Sequence, residues 1–130
     1  MTFSPIDLSP KLWLKSNVGL YQDSAGTNAV TSNAQSVGLW KDQSGNSIDL
    51  SDGGYTTYKP SYQSNQINGF PSIRFNNQKL LSNVGGPFTE ANVSFFIVYR
   101  RNSRSSYPVF NFRNGRSRKP TEIWFEQLTA

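Results

Sequence analysis

The clearest fold signal in this chain lies at Pro60-Ser61-Tyr62-Gln63-Ser64-Asn65-Gln66-Ile67-Asn68-Gly69-Phe70-Pro71-Ser72-Ile73-Arg74-Phe75. Asn68-Gly69 is a strong turn signal, because both residues tolerate a positive φ angle. The residues 72–75 alternate polar and apolar side chains, as a strand does when one of its faces is buried. Pro60 and Pro71 lack the N–H group that a sheet needs as a donor, so we expect them at strand starts, edges or turns. The stretch predicts a β-unit.

Short apolar runs on either side of this stretch predict further strands and no helix of useful length. The predicted strands cover residues 12–14, 19–21, 38–40, 48–50, 107–112 and 122–128. Between them, residues 42–46 predict a turn in which Asp42 accepts a hydrogen bond from the backbone two residues on. The run at 93–99 places apolar side chains on both faces, which is typical of a central strand that is buried on both sides. The chain is therefore predicted to be all-β.

The composition excludes several kinds of chemistry. The chain has neither Cys nor His, which rules out disulfides, thiolate zinc sites and a Ser-His-Asp triad. Its 130 residues suit one domain with a core of its own, which we place at residues 12–130 after a surface arm at 1–11. We find no secretory leader and no apolar run long enough to span a membrane. We therefore expect synthesis in a cytoplasm and no membrane contact.

Several segments, in their order along the chain, match the motifs of a known family. They are Leu8-Ser9-Pro10 with Leu12-Trp13-Leu14, Trp40-Lys41-Asp42-Gln43-Ser44-Gly45-Asn46, Pro60-Ser61-Tyr62 with residues 67–75, and Phe88-Thr89 with residues 93–100. In this order the chain resembles the LamG-like family of concanavalin A-type jelly rolls over residues 8–100. The resemblance implies a jelly-roll sandwich but no single function, because this architecture occurs in lectins, adhesion modules, glycan hydrolases and virion proteins.

The predicted strand at 123–125 brings large apolar side chains to the end of the chain. A jelly roll of this family usually needs more residues than this, so we expect this strand to be an open edge. Exposed apolar edges promote pairing with another chain. We therefore expect either that a partner completes the sheets, with a homotrimer favoured, or that the chain is a fragment of a longer protein.

The acidic residues do not form the pattern of a glycan-hydrolysing site. Such a site needs two carboxylates that face one sugar bond, and the glucanases of this architecture take theirs from a Glu-x-Asp-x-x-Glu strand. Glu122-Ile123-Trp124-Phe125-Glu126 lacks the middle acid. We therefore predict a protein that is not an enzyme and has no catalytic residues.

Calcium is the one cofactor that the sequence leaves open. Asp42, Asn46, Asp49 and Asp52 are close in sequence, Asp23 could join them, and calcium takes several oxygen ligands from one small region. However, turn hydrogen bonding alone explains Asp42. We predict no metal site and no cofactor, with calcium as the alternative.

The positive charge of the chain is concentrated near its end. The net charge is +5, and every charged residue between Glu90 and Glu122 is basic. We predict that this segment contacts an acidic protein surface or an anionic glycan. The candidate residues are Arg100, Arg101, Arg104, Arg116, Arg118 and Lys119. Nucleic acid is not expected, because the segment holds no nucleic-acid-binding motif.

Aromatic side chains are the second group of candidate binding residues. Tyr55 and Tyr58, together with Tyr62, lie in a polar, loop-rich region that is suited to exposed sugar contacts. The tryptophans follow apolar strand patterns, for which packing in the core is the ordinary role.

These observations lead to two hypotheses of function. The first is a non-enzymatic structural protein of a virus particle, either a phage capsid decoration protein or a tail-associated attachment protein that also contacts host glycans. The second is a carbohydrate-binding module of a larger secreted or cell-surface protein.

Overall fold

The chain folds into two antiparallel sheets. The structure, a computed structural model, describes residues 3–76, 78–82, 94–100, 110–112 and 123–127. Besides the sheets, these residues form two short 3₁₀ helices, Pro5–Leu8 and Thr56–Tyr58. This confirms the all-β prediction. None of the helices in these ranges is long and apolar enough to cross a membrane.

The strands are mostly short. They are Leu20–Tyr21 (β1), Leu39–Trp40 (β2), Leu50–Ser51 (β3), Ser61–Ile67 (β4), Phe70–Arg74 (β5), Gln78–Ser82 (β6), Phe110–Phe112 (β7) and Ile123–Gln127 (β8). The larger sheet has the order β1-β2-β3-β6-β8-β7, and the smaller sheet pairs β4 with β5. The predicted strands at 19–21 and 38–40 are confirmed, and the one at 48–50 begins only at Leu50.

The stretch around Asn68-Gly69 forms the hairpin of β4 and β5. Asn68 and Gly69 have φ angles of 49° and 83°, so the predicted turn is confirmed. The register runs from Gln63 opposite Ser72 directly to Ile67 opposite Phe70. The residues 64–66 of β4 therefore bulge opposite residue 71, which is a proline and has no N–H to give to the ladder.

Side chains from both sheets meet in one apolar core. The buried cluster consists of Leu20, Val37, Leu50 and Leu80. Tyr62 of β4 and Ile73 of β5 pack against it, and so do Leu12, Leu14, Val30, Trp40 and Phe75. Burial of one such aliphatic side chain stabilises a fold by roughly 1.5–3 kcal/mol. The two-stranded hairpin, which would be marginal alone, is thus held to the larger sheet by this cluster.

The prediction of a central strand at 93–99 is wrong for residues 94–100, which are the part of it that the structure describes. None of these residues belongs to a strand, and the side chains of Phe96 and Val98 are 92% and 89% exposed. An apolar pattern on both faces permits burial, but burial also needs a partner strand and a covering layer. The position beside β6 is taken by β8.

The predicted open edge at 123–125 is also wrong. β8 lies between β6 and β7, where Phe125 is opposite Leu80 on one side and Phe110 on the other. Residues 12–14 do not form the predicted strand either. The N–H of Trp13 donates to the Asp42 carboxylate at 2.9 Å, so a side chain replaces the backbone carbonyl that a ladder would supply.

A buried ion pair lies beside this core. Asp52 is 3% exposed, and its Oδ2 atom is 3.4 Å from Nζ of Lys59. The Lys59 ammonium also donates to the Gln22 carbonyl at 2.7 Å, and the N–H of Gly54 donates to Asp52 Oδ1 at 2.9 Å. The buried carboxylate thus has both a counter-charge and hydrogen-bond donors, as a buried ion requires.

We predict that Lys59→Met destabilises the fold by about 3 kcal/mol, because it leaves the Asp52 charge buried without its counter-ion. The double variant Lys59→Met, Asp52→Asn should recover part of this loss, since it removes the unpaired charge. Urea unfolding of the three proteins measures both effects. Equal stabilities of Lys59→Met and the unchanged chain would contradict the role of the pair.

Candidate binding surface

The most exposed apolar segment of the described chain is Phe95–Phe96–Ile97–Val98–Tyr99, here called the apolar segment. Its side chains are 43%, 92%, 40%, 89% and 62% exposed in chain order. A single exposed apolar side chain is ordinary, but consecutive ones form the kind of patch that marks an interaction site. The apolar segment is therefore the first component of a candidate binding surface.

Two arginines meet beside the apolar segment at the side-chain amide of Gln66. Arg100 follows the segment directly, and its NH2 group donates to Gln66 Oε1 at 3.3 Å. The NH2 group of Arg74, on β5, contacts the same oxygen at 3.5 Å. Both guanidinium groups lie on residues that are exposed to solvent. The hairpin and the segment at 94–100 thus bring two cations to one point of the surface.

The bulge in β4 fixes the position of Gln66. The Nε2 group of Gln66 donates to the Ser64 carbonyl at 2.9 Å, which turns Oε1 toward the arginines. Asn65 has a φ angle of 52°, and the N–H of Ser64, freed from the ladder by the bulge, donates to Asn33 Oδ1 at 2.9 Å. The bulge is thus tied to a separate loop.

The predicted basic residues are described only in part. Arg100 takes part in the cluster at Gln66. The other candidates, Arg101, Arg104, Arg116, Arg118 and Lys119, lie outside the described residues. The sequence pattern placed Arg74 in a strand and Gln66 in the same β-unit, and it assigned a binding role to neither. A usable signal was present, since residues 53–89 contain no acid.

The aromatic candidates have different environments. Tyr55 is 57% exposed, and Nζ of Lys79 lies 5.7 Å from the centre of its ring. Tyr58 belongs to a 3₁₀ helix, and its side chain lies outside what the structure describes. Tyr62 packs against the buried cluster, so the proposal of an exposed sugar contact at Tyr62 is wrong. Trp40 packs there too, and its indole N–H donates to the Lys15 carbonyl at 2.9 Å.

The Asp42 carboxylate joins three segments of the chain. Its Oδ1 accepts from the N–H groups of Trp13 at 2.9 Å and Ser44 at 2.8 Å. Its Oδ2 accepts from the Ser44 hydroxyl at 2.6 Å and the N–H of Ile48 at 3.1 Å. The predicted turn bond to residue 44 is confirmed. The oxygens of Asp42 are therefore used for holding backbone.

The other aspartates considered for calcium are also engaged within the fold. Asp49 Oδ1 accepts from the N–H of Asp42 at 3.0 Å, and Asp52 pairs with Lys59. Asp23 accepts from the N–H groups of Thr27 at 3.1 Å and Asn28 at 2.7 Å. Across the described ranges, no group of three or more acidic side chains is arranged to hold a metal ion.

Comparison of the chain with protein-family models, with curated proteins and with solved structures gives no match. The described surface combines an exposed apolar segment with two arginines that meet at one amide oxygen.

We predict that Asp42→Asn destabilises the fold by about 2–3 kcal/mol, because the new amide turns an N–H₂ group toward donors that need an acceptor. Asp7→Asn is the control, since Asp7 is exposed and its carboxylate accepts the local N–H of Ser4. Thermal unfolding at neutral pH measures both. A loss as small for Asp42→Asn as for Asp7→Asn would contradict the joining role of Asp42.

The hydrogen bonds to the Asp23 carboxylate should make the stability of the fold depend on pH. The hydrogen bond from the Thr27 backbone, joined by that of Asn28, lowers the pKa of Asp23 below its ordinary value of 3.8. A carboxylate with a lowered pKa stabilises the fold above its unfolded-state pKa, and this contribution is lost as the pH falls through the folded-state value. Asp23→Asn should therefore be less stable than the unchanged chain at pH 7. The difference should shrink below about pH 4, as measured by urea unfolding across pH.

Proposed function

We propose that this protein is a non-enzymatic structural component of a virus particle, of the capsid decoration or tail-associated attachment kind. The exposed apolar segment is the observation on which this proposal depends. Phe96 and Val98 have most of their side chains in water, and transfer of one such side chain into an interface gains roughly 1.5–3 kcal/mol. A partner protein that covers the segment would supply this gain.

The use of aspartates to hold the fold together also suits a structural protein. The carboxylates of Asp23, Asp42 and Asp49 accept backbone N–H groups, and the carboxylate of Asp52 pairs with Lys59. We infer that the two sheets are those of a concanavalin A-like jelly roll, as the LamG-like resemblance implies. In a decoration protein such a sandwich presents loops and edges to neighbouring proteins.

A carbohydrate-binding module is the second candidate, and Tyr55 favours it. The ring of Tyr55 is exposed, with the ammonium of Lys79 5.7 Å from its centre. Sugar rings stack on exposed aromatic faces. The two functions involve different residues, so that substitutions can separate them.

We predict that the double variant Phe96→Ser, Val98→Ser lowers the amount of the chain on purified virus particles by roughly tenfold or more, because it removes apolar area that the partner would cover. Its stability should change by no more than about 0.5 kcal/mol, since both side chains are already in water. Immunoblots of particles produced from the genome that encodes the chain measure the occupancy.

Tyr55→Ser is the matched control, because it also removes an exposed aromatic side chain. It should leave particle occupancy unchanged. Absence of the unchanged chain from the particles, together with glycan-array binding that Tyr55→Ser abolishes, would contradict the virion proposal in favour of the carbohydrate-binding module.

A further inference from the structure

Arg74 and Arg100 form a pair of cations whose shared neighbour is a neutral amide. Both contact Gln66 Oε1, at 3.5 Å and 3.3 Å. Neither forms an ion pair with any residue in the ranges that the structure describes. Lys59 differs, since it is matched with a buried carboxylate at 3.4 Å. Two like charges that meet at one oxygen without an acid favour the binding of an anion from outside.

We propose that Arg74, Arg100 and Gln66 form a binding site for a carboxylate, supplied by an acidic side chain of the protein on which this chain docks. The proposal rests on the docking function proposed above and names the chemistry of the partner. The partner would present a glutamate or aspartate beside apolar residues.

The donor geometry suits a carboxylate. Each guanidinium group has five N–H donors in a planar fork, and the described contacts to Gln66 use one NH2 group of each arginine. The remaining donors can bind the two oxygens of an incoming carboxylate, in the bidentate manner that makes arginine–carboxylate bonds strong. Gln66 helps by keeping the two groups close together, because its own amide is held by Ser64.

The apolar segment selects a protein carboxylate over a sulfate or phosphate. Arg100 directly follows Val98 and Tyr99, which are 89% and 62% exposed. A sulfated glycan or a phosphate would satisfy the arginines but would leave these apolar side chains in water. An acidic side chain flanked by apolar residues would satisfy both, which is the complementarity expected of a protein interface.

The site is built on a hairpin that other contacts hold in place. Ile73, next to Arg74, packs against the buried cluster, and the bulge of β4 is bonded to Asn33 through the N–H and hydroxyl of Ser64 at 2.9 Å and 3.1 Å. Two of the three residues of the site therefore have a defined position before any ligand binds. Such pre-organisation reduces the entropic cost of binding.

The test uses two short synthetic peptides, capped at both ends, that differ at one position. In one peptide a glutamate lies between leucines, and in the other a glutamine replaces it. Each is titrated into the full chain while the side-chain Nε–H resonances of Arg74 and Arg100 are followed by NMR. We expect the glutamate peptide to shift both resonances and the glutamine peptide to shift neither. Inorganic sulfate, as a third titrant, should bind more weakly than the glutamate peptide.

Four variants distinguish a local binding site from a general attraction between the positive chain and the negative peptide. Each variant lowers the net charge of the chain by one unit. Arg74→Gln and Arg100→Gln should each weaken binding of the glutamate peptide by roughly fivefold or more. Gln66→Glu should abolish it, because it places a carboxylate between the two arginines. Lys41→Gln is the control, since the Lys41 ammonium lies over Tyr21 at 5.5 Å, and it should change binding less than twofold. Thermal unfolding of each variant verifies that it is folded.

Several results would overturn the carboxylate site. They are an equal loss of binding in Lys41→Gln, retained binding in Gln66→Glu, sulfate that binds more tightly than the glutamate peptide, and no shift of either resonance. If the peptide fails while particle occupancy still depends on Phe96 and Val98, the carboxylate site is wrong and the docking function stands. If the peptide binds at Arg74 and Arg100 while the chain is absent from particles, the docking function is wrong and the site stands.

Discussion

The Asp42 carboxylate is the contact on which the arrangement of the first half of the chain depends. Short strands offer few backbone hydrogen bonds, and β1, β2 and β3 have two residues each. The Asp42 carboxylate supplies further hydrogen-bond acceptors, because it accepts from the backbone N–H groups of Trp13, Ser44 and Ile48. The segment before β1 is thereby joined to the loop after β2. Leu12 and Leu14, on either side of Trp13, can then pack against the core.

The other aspartates of the larger loops are also engaged within the fold, and the arginines at Gln66 are not paired with them. Asp23, Asp42 and Asp49 accept backbone N–H groups, and Asp52 is buried beside Lys59. The arginines at Gln66 meet an amide oxygen. The oxygens of these carboxylates are bonded within the fold, and among the described residues none of them pairs with Arg74 or Arg100. The two arginines can therefore contact an external anion.

Local chemistry made the hairpin predictable, whereas distant pairing was not predictable. Asn68-Gly69 and the alternation at 72–75 depend only on residues close in sequence. The turn formed where expected, and β5 overlaps the predicted strand but begins at Phe70 and ends at Arg74. The position of β8 between β6 and β7 depends on contacts between segments that are far apart in sequence. The apolar run at 93–99 showed that both faces are apolar, but it did not indicate which strands would be available to cover them.

The all-β class, the hairpin turn, the role of Asp42 in its own turn and the concentration of basic residues near the end of the chain could all be predicted from the amino-acid sequence. These features follow from backbone preferences, side-chain chemistry and composition, which need no knowledge of distant neighbours. The exposure of residues 94–100 and the contact of Arg100 and Arg74 with Gln66 could not be predicted in this way. The reason is that burial and convergence depend on which distant segments pack together, and packing is a property of the whole chain.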